Sequence, residues 1–142
     1  MKSIFTPGIT PEELNRFSIN TMAAHLGIEV TAIGADYLEA KMPVDHRTHQ
    51  PQGLLHGGAS VALAETLGSM AAYCTLDNTI KTCVGLEINA NHMKAMRTGF
   101  VTGIARPLHI GQRTQVWEIK ISNEKKELVC VSRITMAVID KR

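Results

Sequence analysis

The sequence predicts an α+β fold in which a curved antiparallel β-sheet wraps a long central helix. Three observations carry that prediction. The segment "LLHGGASVALAETLGSMAAY", residues 54 to 73, has the length of a helix and small or apolar residues on nearly every side. Stretches before and after it place apolar residues at every second position, the period of a half-buried strand. The element order is a helix, two strands, the long helix and then four strands, which is an α+β pattern.

Thr10-Pro11-Glu12-Glu13 reads as an N-cap, a proline at the first helical position and a capping-box glutamate, opening a helix through about Ala24 that Gly27 ends. A strand near Gly27 to Ala32 and a hairpin around Gly34 follow. Leu38, Ala40, Met42 and Val44 then alternate with Tyr37, Glu39 and Lys41 as a second strand. The loop "HRTHQPQGLLHGG" leads into the long helix, where Gly57, Gly58 and Gly68 among many alanines sacrifice helix propensity. Close packing against the sheet is the expected compensation. Later strands are legible at Lys81 to Met93, Gly99 to Arg106, Gln112 to Ser122 and Glu127 to Asp140, read in meander order. Trp117, Ile119 and Ile121 alternate with Glu118 and Lys120, and "SNEKKE" is the turn before the last strand. No internal repeat, linker or low-complexity tract interrupts the chain.

With 142 residues, 44% hydrophobic and 20% charged, the chain suffices for one core, so residues 1–142 read as a single domain. The 15 basic and 13 acidic residues are scattered and balance to +2, which leaves no basic block for nucleic acid. The start, "MKSIFTPGITPEELNRF", is too polar for a secretory leader, and no apolar run reaches membrane-spanning length. A cytoplasmic protein that touches no membrane is the expectation. Cys74, Cys83 and Cys130 are odd in number and lack CxxC spacing, which suits reduced structural thiols.

Within the long apolar helix, Glu65 is the lone charged side chain, and no Lys or Arg lies between Arg47 and Lys81. An ionised carboxylate in an apolar setting is unfavourable by several kcal/mol unless it is paired or raises its pKa. It could sit where the helix emerges into solvent, but its company points to chemistry: Ser69 lies at i+4 on the same face, with His56 and Gln50 upstream. His56 and Glu65 are nine residues apart, so on one helix they point roughly 180° apart and lie about 13 to 14 Å from each other along the axis. If both serve one site, a second subunit must bring its His56 to the first subunit's Glu65, which requires a two-fold dimer with two composite sites. Taken alone His56 could be a capping or loop residue. Gly57 and Gly58 favour function, because glycines at a helix start leave N–H groups open to an oxyanion where the helix end is partly positive. His46, His49 and His56 share a loop without acids to support them, so no metal is expected.

These residues carry a resemblance. "HRTHQPQGLLHGGASVALAETLGS" followed by "VGLEINANH" is similar to the hotdog-fold acyl-CoA thioesterases of the PaaI-like branch. That branch holds 1,4-dihydroxy-2-naphthoyl-CoA thioesterase of menaquinone synthesis and the proofreading thioesterase of enterobactin synthesis. The similarity runs from about His25 to Ile139, and Gln50, HGG at 56 to 58, Glu65, Ser69 and GLEINANH at 85 to 92 form its signature. It implies a five- or six-stranded sheet around the central helix and dimers commonly paired into tetramers. It implies hydrolysis of an acyl-CoA, most fittingly aromatic, or of a carrier-protein thioester. Coenzyme A is then part of the substrate, and no cofactor is needed.

Carried over by position, Glu65 would be the nucleophile or general base. The Gly57 N–H, assisted by Gln50, would polarise the carbonyl, and His56 would orient the acyl group from the opposite subunit. Ser69 and His92 would hold the water or the leaving-group end. For coenzyme A the resemblance implies Gly85, the stretch His92, Met93, Lys94 and Ala95, and the turn His109, Ile110, Gly111, Gln112, Arg113 and Thr114. Lys94 and Arg113 are phosphate partners by charge. Where relatives carry an aromatic residue in the QPxG loop, this chain has Gln52, which bears on acyl specificity more than on chemistry. Two other classes share the fold: a hydratase or dehydratase, in which His56 and Glu65 share one proton path, and a non-catalytic acyl-CoA binder. The latter gains nothing from an unpaired buried carboxylate.

Overall fold

Thr10 caps the first helix as predicted: its hydroxyl accepts from the Glu13 N–H at 3.2 Å, and the Glu13 carboxylate accepts from the Thr10 N–H at 3.3 Å. The computed structural model describes residues 1–142. The one long first helix expected to run to Ala24 is in fact two, α1 (Pro11–Phe17) and α2 (Met22–His25). The break lies at Ser18, whose hydroxyl bonds back to the Leu14 carbonyl, and at Asn20, which adopts a left-handed φ of 62°. Gly27, at φ 75°, then turns the chain into the sheet.

Strands β1 (Glu29–Ile33) and β2 (Leu38–Pro43) form the expected hairpin, closed by the Gly34 N–H donating to the Tyr37 carbonyl at 2.9 Å. After α3 (Gly57–Cys74) come β3 (Lys81–His92), β4 (Phe100–Ile110), β5 (Thr114–Ser122) and β6 (Leu128–Asp140). All six strands join one antiparallel sheet in the order β1-β2-β4-β5-β6-β3. The expected four-strand meander therefore holds only for β4, β5 and β6. β2 already occupies the free side of β4, with Leu38 opposite Ala105, so β3 pairs with β6 instead. β4 also outruns the expected end at Arg106. Beyond Ala105 it has only β5 beside it, a position that tolerates Pro107, and a register shift between Pro107 and His109 absorbs the kink.

The sheet curls round α3, whose apolar character is spread almost evenly about its axis. Leu63, Ala64, Leu67 and Ala71 are fully buried, as are Trp117, Ile119, Ile121 and Ile134 from the sheet. The expected close packing is real: a Cβ on Gly68 would come within 2.6 Å of Ile134 Cγ2. Inside this core the Trp117 Nε1–H donates to Gln115 Oε1 at 2.8 Å, and the Gln115 amide donates to Thr75 Oγ1 at 2.9 Å. Two buried polar side chains are thereby satisfied. The three cysteines are free, and burial pushes the Cys74 thiol up to about 12.

The two sheet edges are β1 and β3. β3 is twelve residues long, has β6 on one side only, and presents Val84 and Leu86 at 47% and 62% exposure.

Candidate active site

The loop that delivers α3 is fastened from within. Thr48 is buried; its hydroxyl donates to the Pro43 carbonyl at 2.8 Å, and its own carbonyl accepts from the His56 N–H at 2.8 Å. Nearby, hydrogen bonds from Arg47 hold the Asp45 carboxyl down at about 2. Gln50 sits in a tight turn in which its N–H donates to the Leu54 carbonyl and its carbonyl accepts from Gly53, a glycine at φ 75°. The Gln50 side-chain carbonyl accepts from the Gln52 N–H. That contact leaves the Gln50 NH2 as the free end, and Gln50 lines a cavity of about 360 Å³ together with Gly57, Ser60, His92 and Lys94.

His56 is the N-cap of α3, and its Nδ1 accepts from the Gly58 N–H at 2.7 Å. An accepting Nδ1 leaves the proton of the neutral ring on Nε2, so the outward nitrogen is a donor. The His56 carbonyl takes the N–H groups of Ala59 and Ser60. Gly57 is thus left with the one N–H of the first turn that has no partner in the chain. The His92 ring packs against Gly57: a Cβ on Gly57 would fall 2.9 Å from His92 Nε2. Gln50, Gly57 and His92 therefore meet at the N-terminal end of α3.

Glu65 occupies a different place, two turns further along. Its carboxylate lies against β3 at Gly85, where a Cβ would fall 2.9 Å from Oε1. The missing side chain is what makes room for the carboxylate. Glu65 is half-buried and pairs with no cation. Ser69 follows one turn later, its hydroxyl engaged only by the weak acceptor Met136 Sδ at 3.8 Å. Beyond it opens a second cavity of about 370 Å³, lined by Ser69 and Gly85 with mostly apolar neighbours that include Leu14, Phe17, Met70 and Tyr73. Those four were not anticipated. The usable signal was the i, i+4, i+8 spacing of Glu65, Ser69 and Tyr73 on one helical face.

Gly85 lies opposite Met136 and His92 opposite Cys130 on β6, six residues apart or about 20 Å. One chain therefore does not unite the Glu65 group with the Gln50, Gly57 and His92 group. Nor does it unite the two stretches assigned to coenzyme A. His92 to Ala95 lie at the Cys130 end of β6, whereas Thr114 pairs with Ala137 near the other end. The 109–114 stretch is also not wholly a turn: His109 and Ile110 belong to β4 and Thr114 to β5, with the Gly111 N–H donating to the Thr114 carbonyl. Lys94 is paired with Glu127 at 3.0 Å, and the Glu127 carboxyl is lowered first by Asn123 and then by Lys94. Of the remaining loop histidines, His49 Nε2 bonds the Arg97 carbonyl at 2.8 Å and His46 is exposed.

A sequence model of the thioesterase superfamily matches residues 52–130, which span the end of the loop, α3, β3 through β5 and the first residues of β6. The chain belongs to the thioesterase superfamily. This thioesterase is similar to the proofreading thioesterase EntH of Cronobacter turicensis, at 54% identity over 131 residues, 92% of this chain and 95% of that protein. It is 53% identical over 131 residues to the 1,4-dihydroxy-2-naphthoyl-CoA hydrolase of Escherichia coli K12, covering 92% and 96% of the two chains. A crystal structure of a mutant thioesterase from Pseudomonas aeruginosa superposes with a TM-score of 0.96 at 47% identity, over 98% of this chain and 100% of that one. The fold is accordingly the hotdog that the resemblance implied, and the chain is an enzyme of the thioester hydrolase kind. No helix of this thioesterase is long and apolar enough to cross a membrane.

Proposed function

We propose that the enzyme hydrolyses an acyl-CoA, with an aromatic acyl group preferred, in composite sites formed by two copies of the chain. The observation that carries the reading is the division of the machinery. Free donors, the Gly57 N–H and the Gln50 NH2, belong to residues that line one cavity, and an unpaired carboxylate, Glu65, lies against Gly85, eight residues or about 12 Å further along α3 than Gly57. Each half is useless without the other.

The unpaired side of β3 offers a way to join them. Gly85 and His92 face the same side of the sheet as their buried partners Met136 and Cys130. The register shift between Gly85 and Glu87 leaves Asn89 midway between them along the ladder. A two-fold axis at Asn89, pairing two β3 strands antiparallel, sets Gly85 of one copy opposite His92 of the other and Ile88 opposite Ala90. The same pairing completes the row of unmet β3 backbone groups and covers Val84 and Leu86. It also carries the 109–114 stretch of one copy to the end of the sheet where the other copy's His92 to Ala95 lie. Arg113 and Lys94 would meet the phosphates there, Lys94 by leaving Glu127. Further pairing of such dimers into tetramers follows the family habit.

In such a site the thioester carbonyl oxygen accepts from Gly57 and Gln50 of one subunit, and the His56 Nε2–H steadies it. Glu65 of the other subunit either attacks the carbonyl carbon or removes a proton from the attacking water, with Ser69 and His92 holding that water. The C–S bond breaks, coenzyme A leaves as its thiolate, and water supplies the oxygen of the carboxylic acid product. If Glu65 is the nucleophile, a mixed anhydride forms first and water cleaves it. A thiolate is a good leaving group, so no strong acid is needed, and the balanced reaction consumes only water. A donor Nε2–H on His56 also suits carbonyl orientation better than the shared proton path a hydratase would require.

Release of free thiol by the purified protein from 1,4-dihydroxy-2-naphthoyl-CoA, benzoyl-CoA, a hydroxybenzoyl-CoA, a medium-chain acyl-CoA and crotonyl-CoA tests this reading. It predicts thiol from every good substrate and the highest kcat/KM for the aryl members. Loss of crotonyl absorbance without thiol release would replace it with hydration chemistry.

A further inference from the structure

We propose that α1 is the acyl-selecting wall of the active site and that Phe17 is the side chain that sets which acyl groups are accepted; this rests on the thioester reading above. Phe17 is 76% exposed at the end of a helix whose Leu14 is buried in the core. Its ring nevertheless borders the cavity of about 370 Å³ that starts at Ser69 and Gly85. Gly85 is the residue that makes room for the Glu65 carboxylate. The cavity therefore opens one helical turn beyond the catalytic carboxylate and runs along α3 toward Tyr73. An acyl group whose carbonyl carbon lies at Glu65 has this space to extend into.

The lining names the chemistry of that group. It holds no charged side chain, and Leu14, Met70, Val84 and Met136 present apolar surface. Its hydroxyls, on Ser69 and Tyr73, have no strong hydrogen-bond partner within the chain. A flat, uncharged aryl group that stacks on Phe17 and offers a ring hydroxyl to Tyr73 meets both conditions. The wall is also fixed in place. The Asn15 side-chain amide donates to the Val30 carbonyl at 2.9 Å while its oxygen accepts from the Val30 N–H at 2.7 Å, clamping α1 to β1. Aromatic stacking on an ordered helix is pre-organised, and selection by Phe17 requires no rearrangement.

The test compares the wild-type enzyme with Phe17→Ala and Phe17→Leu, using 2-naphthoyl-CoA and acetyl-CoA, an acyl group too short to reach residue 17. A parallel titration measures affinity for a non-hydrolysable naphthyl ketone thioether of coenzyme A. Phe17→Ala should lower kcat/KM for naphthoyl-CoA about tenfold, mainly through KM, and weaken the thioether by a similar factor. Acetyl-CoA turnover should stay within about twofold of wild type, and Phe17→Leu should fall between the two. An equal loss for both substrates, or no loss for either, would overturn the proposal. If the wild-type enzyme released no thiol from any thioester, the thioesterase reading would fail by itself. The thioether titration would still decide the role of Phe17, because equal affinity in wild type and Phe17→Ala contradicts it.

Discussion

The two candidate functional regions of α3 are made of opposite materials. At its N-terminal end every functional group is a donor or a polar ring: the Gly57 N–H, the Gln50 amide, and the His56 and His92 imidazoles, held by a loop whose turns are closed by backbone bonds. Two turns later a single acceptor, Glu65, lies among small and apolar residues. The first region can polarise a carbonyl but cannot attack it. The second can attack or activate water but has nothing to hold the developing oxyanion. In the proposed reading each is half of a site, and the helix that carries both keeps them apart in the same chain.

The sharpest way to break this comparison is to remove the acceptor. Glu65→Gln keeps the shape and loses the carboxylate, and kcat should fall by at least about 10³-fold with the protein folded and substrate still bound. Single-turnover kinetics and a melting curve check it, and near-wild-type turnover would take Glu65 out of the chemistry. The next effect comes from the donor region. Gln50→Ala removes one of the proposed oxyanion donors and should lower kcat by about 10²- to 10³-fold with a smaller change in KM. A loss confined to KM would make Gln50 a binding residue only.

Much of this division was legible in the residues, and what was not has a physical reason. The Thr10 capping box, the alternation of β2 and the glycines that open α3 are local signals, and all three stand where they were expected. Glu65 stood out because a lone carboxylate in an apolar helix demands an explanation. The break between α1 and α2 went unread because Ser18 and Asn20 act through side-chain bonds and a left-handed turn that a hydrophobic pattern does not register. The placing of β3 beside β6 was hidden for a different reason: it depends on β2 having taken the edge of β4, a contact about sixty residues distant in sequence. Leu14, Phe17, Met70 and Tyr73 were invisible as pocket residues because apolar side chains at such positions read equally well as core.

Subunit mixing tests the central claim most directly. Glu65→Gln and His56→Ala proteins, each of low activity, are mixed, allowed to exchange, and assayed for thiol release after exchange is verified by mass. Composite sites predict activity rising to about a quarter of wild type, because half of the dimers are mixed and each holds one intact site. Activity that stays at the sum of the two separate variants, despite verified exchange, would contradict a site shared between subunits.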